Sequence, residues 1–352
     1  MKIAITADLH LKEGRPERYE TLESIFSRCR QEKIENIIIA GDLFDKDMTN
    51  YADFEKICRK KKFKSLNIYV IPGNHDAGFS SKMIDADNVK VVSASPEVID
   101  IDGVSFLFVP YDGSRNMGEA IAPFSEELEE KEWVLIGHGD WLQRTGALNP
   151  MEPGIYMPLS DTDIRRYRPS KIILGHIHKI IDSPKIHYPG SPVPMHINET
   201  GKRRYIHFDT ETMEVSSVPT DSPLIYQSQE LVMLPVDDIK SYVKEEAVKL
   251  KKKWNLNKED IKKTRIRLKV TGYAPDKKEA AAEIEKNFSE FKFYEDEEAD
   301  LSGLHIAGSE ELNEIASMVK EHIGQKLEWD FSDPLSPSET EVLMEALKAV
   351  YE

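Results

Sequence analysis

Five short clusters of metal-ligating residue types recur between positions 8 and 178: Asp8-Leu9-His10, Gly41-Asp42-Leu43-Phe44-Asp45, Gly73-Asn74-His75-Asp76, Gly137-His138 and Gly175-His176-Ile177-His178. Carboxylate, imidazole and amide oxygen together suit manganese, iron or zinc, and the lack of thiolates argues against a structural zinc site. Asp8, His10, Asp42, Asn74, His138, His176 and His178 are too many ligands for one ion. They fit two ions about 3.5–4 Å apart, an arrangement that stabilises both the attacking and the leaving oxygen in phosphoryl chemistry. A water bridging the ions, its pKa lowered towards neutrality, would be the nucleophile. Any one Asp or His after a strand is more often a cap or a satisfied polar residue; the weight rests on five clusters in order. His187, His196, His207 and His322 lack this context, and His207, on an alternating strand, and His322, on a helix, read as structural.

The elements that must position these clusters are visible beside them. Residues 2–7, 36–41, 67–71, 133–137 and 171–175 are short apolar runs, each leading into one cluster. Helical patterns at 19–33 and 51–64 separate the first three. Continuous apolar runs between helices predict buried strands of an α/β sheet, whose carboxyl ends are where sites assemble. The glycines beside the clusters would let the chain turn tightly near the ions. A hairpin at 97–109 turns at Asp102-Gly103. Strands at 185–189, 203–209 and 213–218 complete a first domain, 1–218, a sheet sandwich flanked by helices.

A turn-rich linker at 219–224 precedes a smaller α+β module at 225–305. Its expected order is strand 228–236, helix 237–253, strand 265–271, helix 276–287 and strand 290–295. In 265–271 Ile266, Leu268 and Val270 alternate with Arg265, Arg267 and Lys269. Residues 306–352 hold two amphipathic helices, a possible partner-docking element. Ser309 is expected to cap the first, which stops at Gly324, and Ser336-Pro337-Ser338-Glu339 to start the second as a capping box.

Composition narrows the class. The chain has 352 residues, 40% hydrophobic and 31% charged, ordinary for a globular protein rather than a disordered one. No stretch approaches the ~20 apolar residues of a membrane helix, and an acidic residue at position 8 rules out a long apolar signal core, so a cytoplasmic location is expected. Neither cysteine, Cys29 or Cys58, belongs to a CxxC pair, and Cys29 reads as a buried free thiol. The net charge of −16 opposes polyanion binding in general, but residues 239–273 carry a local +8 and residues 276–300 a local −6.

Across roughly residues 1–210 the clusters resemble, in order and type, the calcineurin-like metallophosphoesterase superfamily. The resemblance implies a metallophosphoesterase-type β-sandwich in which Asp8, His10, Asp42 and His178 hold one ion. Asp42, as the bridge, with Asn74, His138 and His176 would hold the other. His75 would contact the scissile phosphate and assist the leaving group, and Asp45 would orient His75. Within the superfamily the chain is most similar to the SbcD-type DNA break-repair nucleases, the meiotic-recombination nuclease family. The start MKIAITADLHL, the GDLFD cluster, the run GHIHK, the segment Tyr188-Pro189-Gly190-Ser191-Pro192 and a capping-type appendage carry that similarity.

The nuclease resemblance implies DNA as substrate, manganese as the metal, a homodimer and a coiled-coil ATPase partner of the SbcC type. Arg265, Arg267 and Lys269, and a second cluster containing Lys61 and Lys62, would then track a phosphate backbone; a solvated charged face is an equal reading. A phosphatase or small-molecule phosphodiesterase on the same bimetal site is the alternative. A non-catalytic scaffold is a third reading, opposed by the intact His75 and all seven ligands.

Overall fold

Strands that bury both faces dictate the layering. All five residues of the Asn36–Ala40 strand are buried. Ile37 and Ile39 join the cluster of Leu22, Ile25, Phe26 and Cys29 on the Pro16–Gln31 helix. Ile38 and Ala40 point the other way, into a layer with Phe106, Phe108, Val134, Ile136 and Ile173. Side chains two apart share a face, so one apolar run serves two cores.

The computed structural model describes every residue except Asp47, Thr49, 143–152, Asp237, Ser309, 327–336, Ser338 and Glu352. The expected caps at Ser309, Ser336 and Ser338 therefore lie outside the described residues. Two compact units emerge: 1–195 with 202–224, and 196–201 with 225–352. Residues 196–201 fall inside the range expected for the first domain, yet they group with the second unit, where the Gly201 N–H donates to the Tyr226 carbonyl at 2.9 Å.

The first unit stacks two six-stranded sheets. One runs Val215–Pro219, Arg204–Asp209, Lys2–Thr6, Asn36–Ala40, Asn67–Ile71, Val89–Val91. Its last four strands are parallel. The other runs Ile181–Asp182, Ile186–Tyr188, Lys171–Gly175, Trp133–His138, Val104–Val109, Glu97–Ile101. The Asp102-Gly103 hairpin forms as expected, with Glu97–Ile101 antiparallel to Val104–Val109. Short helices at Met117–Ile121 and Asp161–Tyr167 cover the outer face of this second sheet, over Leu107, Trp133, Leu135 and Leu174.

The second unit is built on the long Thr264–Ala274 strand. Ile225–Met233 pairs with it in parallel on one side, and Lys292–Phe293 and Asp300–Ile306 on the other. The Ile239–Trp254 and Lys277–Phe288 helices cover the face bearing Ile266, Leu268 and Val270. The Glu310–Lys326 and Glu339–Tyr351 helices build a separate cluster on Leu234, Tyr273 and Leu347, and Tyr351 stacks on Tyr273 at 4.1 Å.

Several expected boundaries shift. The helix expected over 51–64 is Ala52–Cys58, followed by a 3₁₀ turn at Lys61–Phe63. The break lets Phe63 turn inward against Phe26, while the Asn88 side chain donates to the Cys58 and Phe63 carbonyls that the helix leaves open. The strand expected at 228–236 starts earlier, at Ile225, because its parallel register with Thr264–Ala274 begins there. The strand at 290–295 shrinks to Lys292–Phe293, cut short by a turn in which Glu295 adopts a φ of 51°. The helix expected to stop at Gly324 continues to Lys326.

Candidate metal centre

The five clusters meet at one end of the sandwich because the strands carrying them run in parallel within each sheet. Asp8, Asp42 and Asn74 follow the ends of Lys2–Thr6, Asn36–Ala40 and Asn67–Ile71. His138 is the last residue of its strand and pairs in register with Gly175, so it lies level with the start of the His176-Ile177-His178 loop. Asp8, His10, Asp42 and His176 have φ of 53°, 45°, 49° and 93°. Left-handed backbone at non-glycine residues costs about 1–3 kcal/mol each and persists only where the surroundings impose it.

The side chains converge closely. His10 Nε2 is 3.0 Å from His178 Nε2 and 3.6 Å from Asp42 Oδ2. On its other side, Asp42 Oδ2 is 3.4 Å from His138 Nε2. Asn74 Oδ1 lies 2.9 Å from His138 Nε2 and 3.0 Å from His176 Nδ1. The His176 backbone N–H donates to Asp8 Oδ1 at 2.9 Å. Asp8, His10 and His178 form one group able to hold a metal ion, and Asp8, Asp42 and His138 another. All seven predicted ligands thus take part in one continuous network.

A third cluster, His10 with Asp45 and His75, has metal-ligand spacing as well. There, however, Asp45 Oδ2 already faces Arg18 Nη1 and Lys12 Nζ, each at 3.2 Å. Two cations on the cluster's one carboxylate oppose a further ion there. His75 Nδ1 stands 3.6 Å from Asp45 Oδ1, an ion-pair distance, and the His75 N–H donates to Asp42 Oδ1 at 2.9 Å.

Burial and charge act in opposition here. Burial lifts Asp8 to about 6 against the pull of His178 and His138. Burial depresses His10 to about 3, outweighing Asp42, so this imidazole is neutral, the form that ligates metal. For His138 burial also disfavours the charged form, but Asp42 and Asp8 outweigh it and hold the ring up at about 9. Asp45 is held well below the usual carboxylate range: burial opposes this, and His75, Lys12 and the Lys46 amide prevail.

The donor set passes a direct test for divalent ions. Asp8 is fully buried, and its Oδ2 has no hydrogen-bond partner among the described residues. A carboxylate oxygen that deep needs a proton or a positive partner, and a divalent ion supplies the latter. The glycine setting is equally specific. A Cβ on Gly73 would strike Asp42 Oδ1 and come within 2.7 Å of His138 Cε1.

Supporting residues outside the predicted set complete the site. Asp76 accepts from the Gly73 N–H at 2.6 Å and the Phe44 N–H at 3.1 Å, tying two ligand loops together. Asp140 Oδ1 lies 3.7 Å from His176 Nε2, and Tyr156 lies against the same imidazole, ring centroids 4.6 Å apart. Two buried arginines each hold a histidine main chain: Arg18 donates to the His10 carbonyl, and Arg203 to the His178 carbonyl. Arg203 also donates to the Ser191 carbonyl at 2.8 Å, and the Tyr188 hydroxyl donates to the Gly139 carbonyl at 2.9 Å. The segment 188–192 therefore braces the site. Asp76 and Asp140 sit in or beside the quoted clusters, where their positions were the available signal; Arg18 and Arg203 carry no local signal.

The residues expected to contact nucleic acid are divided between the two units. Lys61 and Lys62 lie in the 3₁₀ turn of the first unit, and Lys62 Nζ pairs with Glu23 at 3.0 Å. Arg265, Arg267 and Lys269 share one face of Thr264–Ala274 in the second unit. Arg267 is committed elsewhere, with two hydrogen bonds of 3.0 and 2.9 Å to Glu297 and its guanidinium over Tyr294.

The profile of the calcineurin-like phosphoesterase family matches residues 1–180. This chain belongs to that family, whose members hydrolyse phosphoesters at a dinuclear metal centre. It is similar to the SbcD component of the nuclease SbcCD of Escherichia coli, 24% identical over 280 residues, covering 64% of this chain and 70% of that one. Among solved structures it is similar to an archaeal phosphodiesterase, with a TM-score of 0.34 and 16% identity over 62% of this chain and 99% of that one. It is also similar to a dimetal phosphatase from Danio rerio, with a TM-score of 0.44 and 10% identity over 62% of this chain and 96% of that one. No described helix is long and apolar enough to cross a membrane.

Proposed function

We propose that this chain is a two-metal phosphodiesterase that cleaves DNA. Asp8, His10, Asp42 and His178 would hold one ion, and Asp42, Asn74, His138 and His176 the other. The observation that carries the proposal is the position of Asp42 Oδ2, 3.6 Å from His10 on one side and 3.4 Å from His138 on the other, as a bridging carboxylate requires. Two divalent ions held there would supply Lewis-acid charge and an activated water. His75 stands beside the ligands, its backbone N–H on Asp42 and its ring facing Asp45, placed to donate a proton to the departing oxygen.

The DNA part of the proposal is supported by the similarity to the SbcD component of nuclease SbcCD, which involves 64% of this chain and so extends past the family match at 1–180. On this reading the metal is manganese, the second unit is a capping domain, the working unit is a homodimer in the cytoplasm, and a coiled-coil ATPase of the SbcC type is the partner. A small phosphodiester or phosphomonoester is the second reading. It is favoured by the neutralised cations, Arg267 by Glu297 and Lys62 by Glu23, on a chain of net charge −16.

Purified protein with Mn²⁺ is to be assayed on end-labelled linear and hairpin DNA and on bis(4-nitrophenyl) phosphate. Metal-dependent DNA cleavage is expected. Rapid turnover of the chromogenic diester with intact DNA would move the assignment to the second reading.

A further inference from the structure

We infer that Arg18 is a positioning residue for the proton donor, acting through Asp45; the inference rests on the role proposed above for His75. Arg18 stands in the first turn of the Pro16–Gln31 helix and is 9% exposed. Its Nη1 donates both to the His10 carbonyl and, at 3.2 Å, to Asp45 Oδ2. The other oxygen of Asp45 accepts from the Lys46 N–H at 2.8 Å and faces His75 Nδ1 at 3.6 Å. The carboxylate is thereby fixed at both oxygens, with one edge turned to His75. Lys12 also reaches Asp45 Oδ2, but its side chain is 52% exposed, whereas the guanidinium of Arg18 is buried and holds a second acceptor, so Arg18 sets the geometry.

The same arginine locks the turn of a predicted ligand. His10 has a φ of 45°, and its carbonyl is the second acceptor of Arg18 Nη1. One buried cation therefore registers the metal-ligand loop and the Asp45–His75 pair to each other. Arg203 supplies the contrast. It grips the His178 carbonyl and the Ser191 loop, and its described hydrogen bonds do not include Asp45. Arg18 should influence proton delivery, and Arg203 only the frame.

The leaving group separates these roles. 4-Nitrophenolate departs without protonation, whereas phenolate benefits from a proton in the transition state. With Mn²⁺, Arg18→Met is expected to lose about ten-fold or more in kcat on diphenyl phosphate relative to its loss on bis(4-nitrophenyl) phosphate. Its KM should stay within about two-fold of the parent, and any loss of calorimetric Mn²⁺ affinity through the His10 loop should be shared by Arg203→Met through the His178 loop, without the leaving-group selectivity. His75→Ala should show the same selectivity, and Arg203→Met none. Arg18→Lys keeps the charge but cannot bridge two acceptors with one planar group. It and Asp45→Asn should repeat the pattern if Arg18→Met fails to fold. Equal losses on both diesters in the Arg18 variants, with His75→Ala selective, overturn the inference alone. An unselective His75→Ala overturns the role of His75 and the inference with it.

Discussion

His138 Nδ1 lies 3.0 Å from the carbonyl oxygen of Ala40, a hydrogen bond that pins the second sheet to the end of a strand in the first. With Nδ1 donating, Nε2 is the nitrogen turned towards Asp42 and Asn74, so a main-chain oxygen in one sheet selects the ligating atom in the other. Gly175 guards this bond, because a Cβ there would strike the Ala40 oxygen and come within 2.7 Å of His138 Nδ1. Gly175→Ala is expected to weaken metal affinity by about ten- to a hundred-fold. Calorimetric titration with Mn²⁺ measures it, and unchanged affinity would remove the orienting role from Ala40.

Asp42 and His75 should separate metal binding from turnover. Asp42→Ala removes the carboxylate between the two imidazole groups and should abolish both Mn²⁺ uptake and hydrolysis. His75→Ala leaves the predicted ligands intact and should bind Mn²⁺ normally while losing about 10²–10⁴-fold in kcat on an unactivated diester. Loss of metal in His75→Ala would make it a ligand rather than a proton donor.

If DNA is the substrate, the paired Arg267 should contribute little. Arg267→Ala is expected to change DNA affinity by less than about two-fold and to leave its salt dependence unaltered. Glu297→Gln frees the guanidinium and should tighten binding, steepening the slope of log affinity against log salt by about 0.7–0.9. Fluorescence anisotropy across a salt series reads both; a large loss in Arg267→Ala would show that the Glu297 pair opens on binding.

The thiols should be silent. Burial pushes Cys29 and Cys58 up to about 12, and both are free and buried. A disulfide reagent at pH 8 should find almost no reactive thiol in the native protein and both after denaturation. Rapid native labelling would mean that the layer between the Pro16–Gln31 and Ala52–Cys58 helices opens readily.

The parts of the site that metal chemistry dictates were legible in the sequence. Asp8, Asp42 and His176 are read easily as predicted ligands because a two-ion site calls for these residue types, and parallel strands bring them together at their carboxyl ends. The sandwich was legible for a similar reason, since runs such as 36–41 must bury both faces. Arg18 and Arg203 were not legible. A buried arginine is identified by the carbonyl it meets, and His10 and His178 reach theirs only after the chain has folded. Arg267 shows the opposite failure: strict alternation marked it correctly as lying on the polar face, but Glu297 lies thirty residues further on, after a turn that no local pattern announced. The early start of Ile225–Met233 was hidden as well, because that strand takes its register from Thr264–Ala274.

The first strand of the chain finishes among the last. Lys2–Thr6 lies between Asn36–Ala40 and Arg204–Asp209, and the N-terminal amine reaches Thr210 Oγ1 at 2.7 Å. At synthesis rates of 5–20 residues per second, roughly ten to forty seconds separate the appearance of Lys2–Thr6 from that of its second neighbour. Throughout that interval one edge of the strand that leads into Asp8 is unpaired, and His176 and His178 do not exist for most of it. The predicted ligand set is therefore complete, at His178, before the strand leading into Asp8 gains its second neighbour, and until then that strand offers an edge that other chains could pair with.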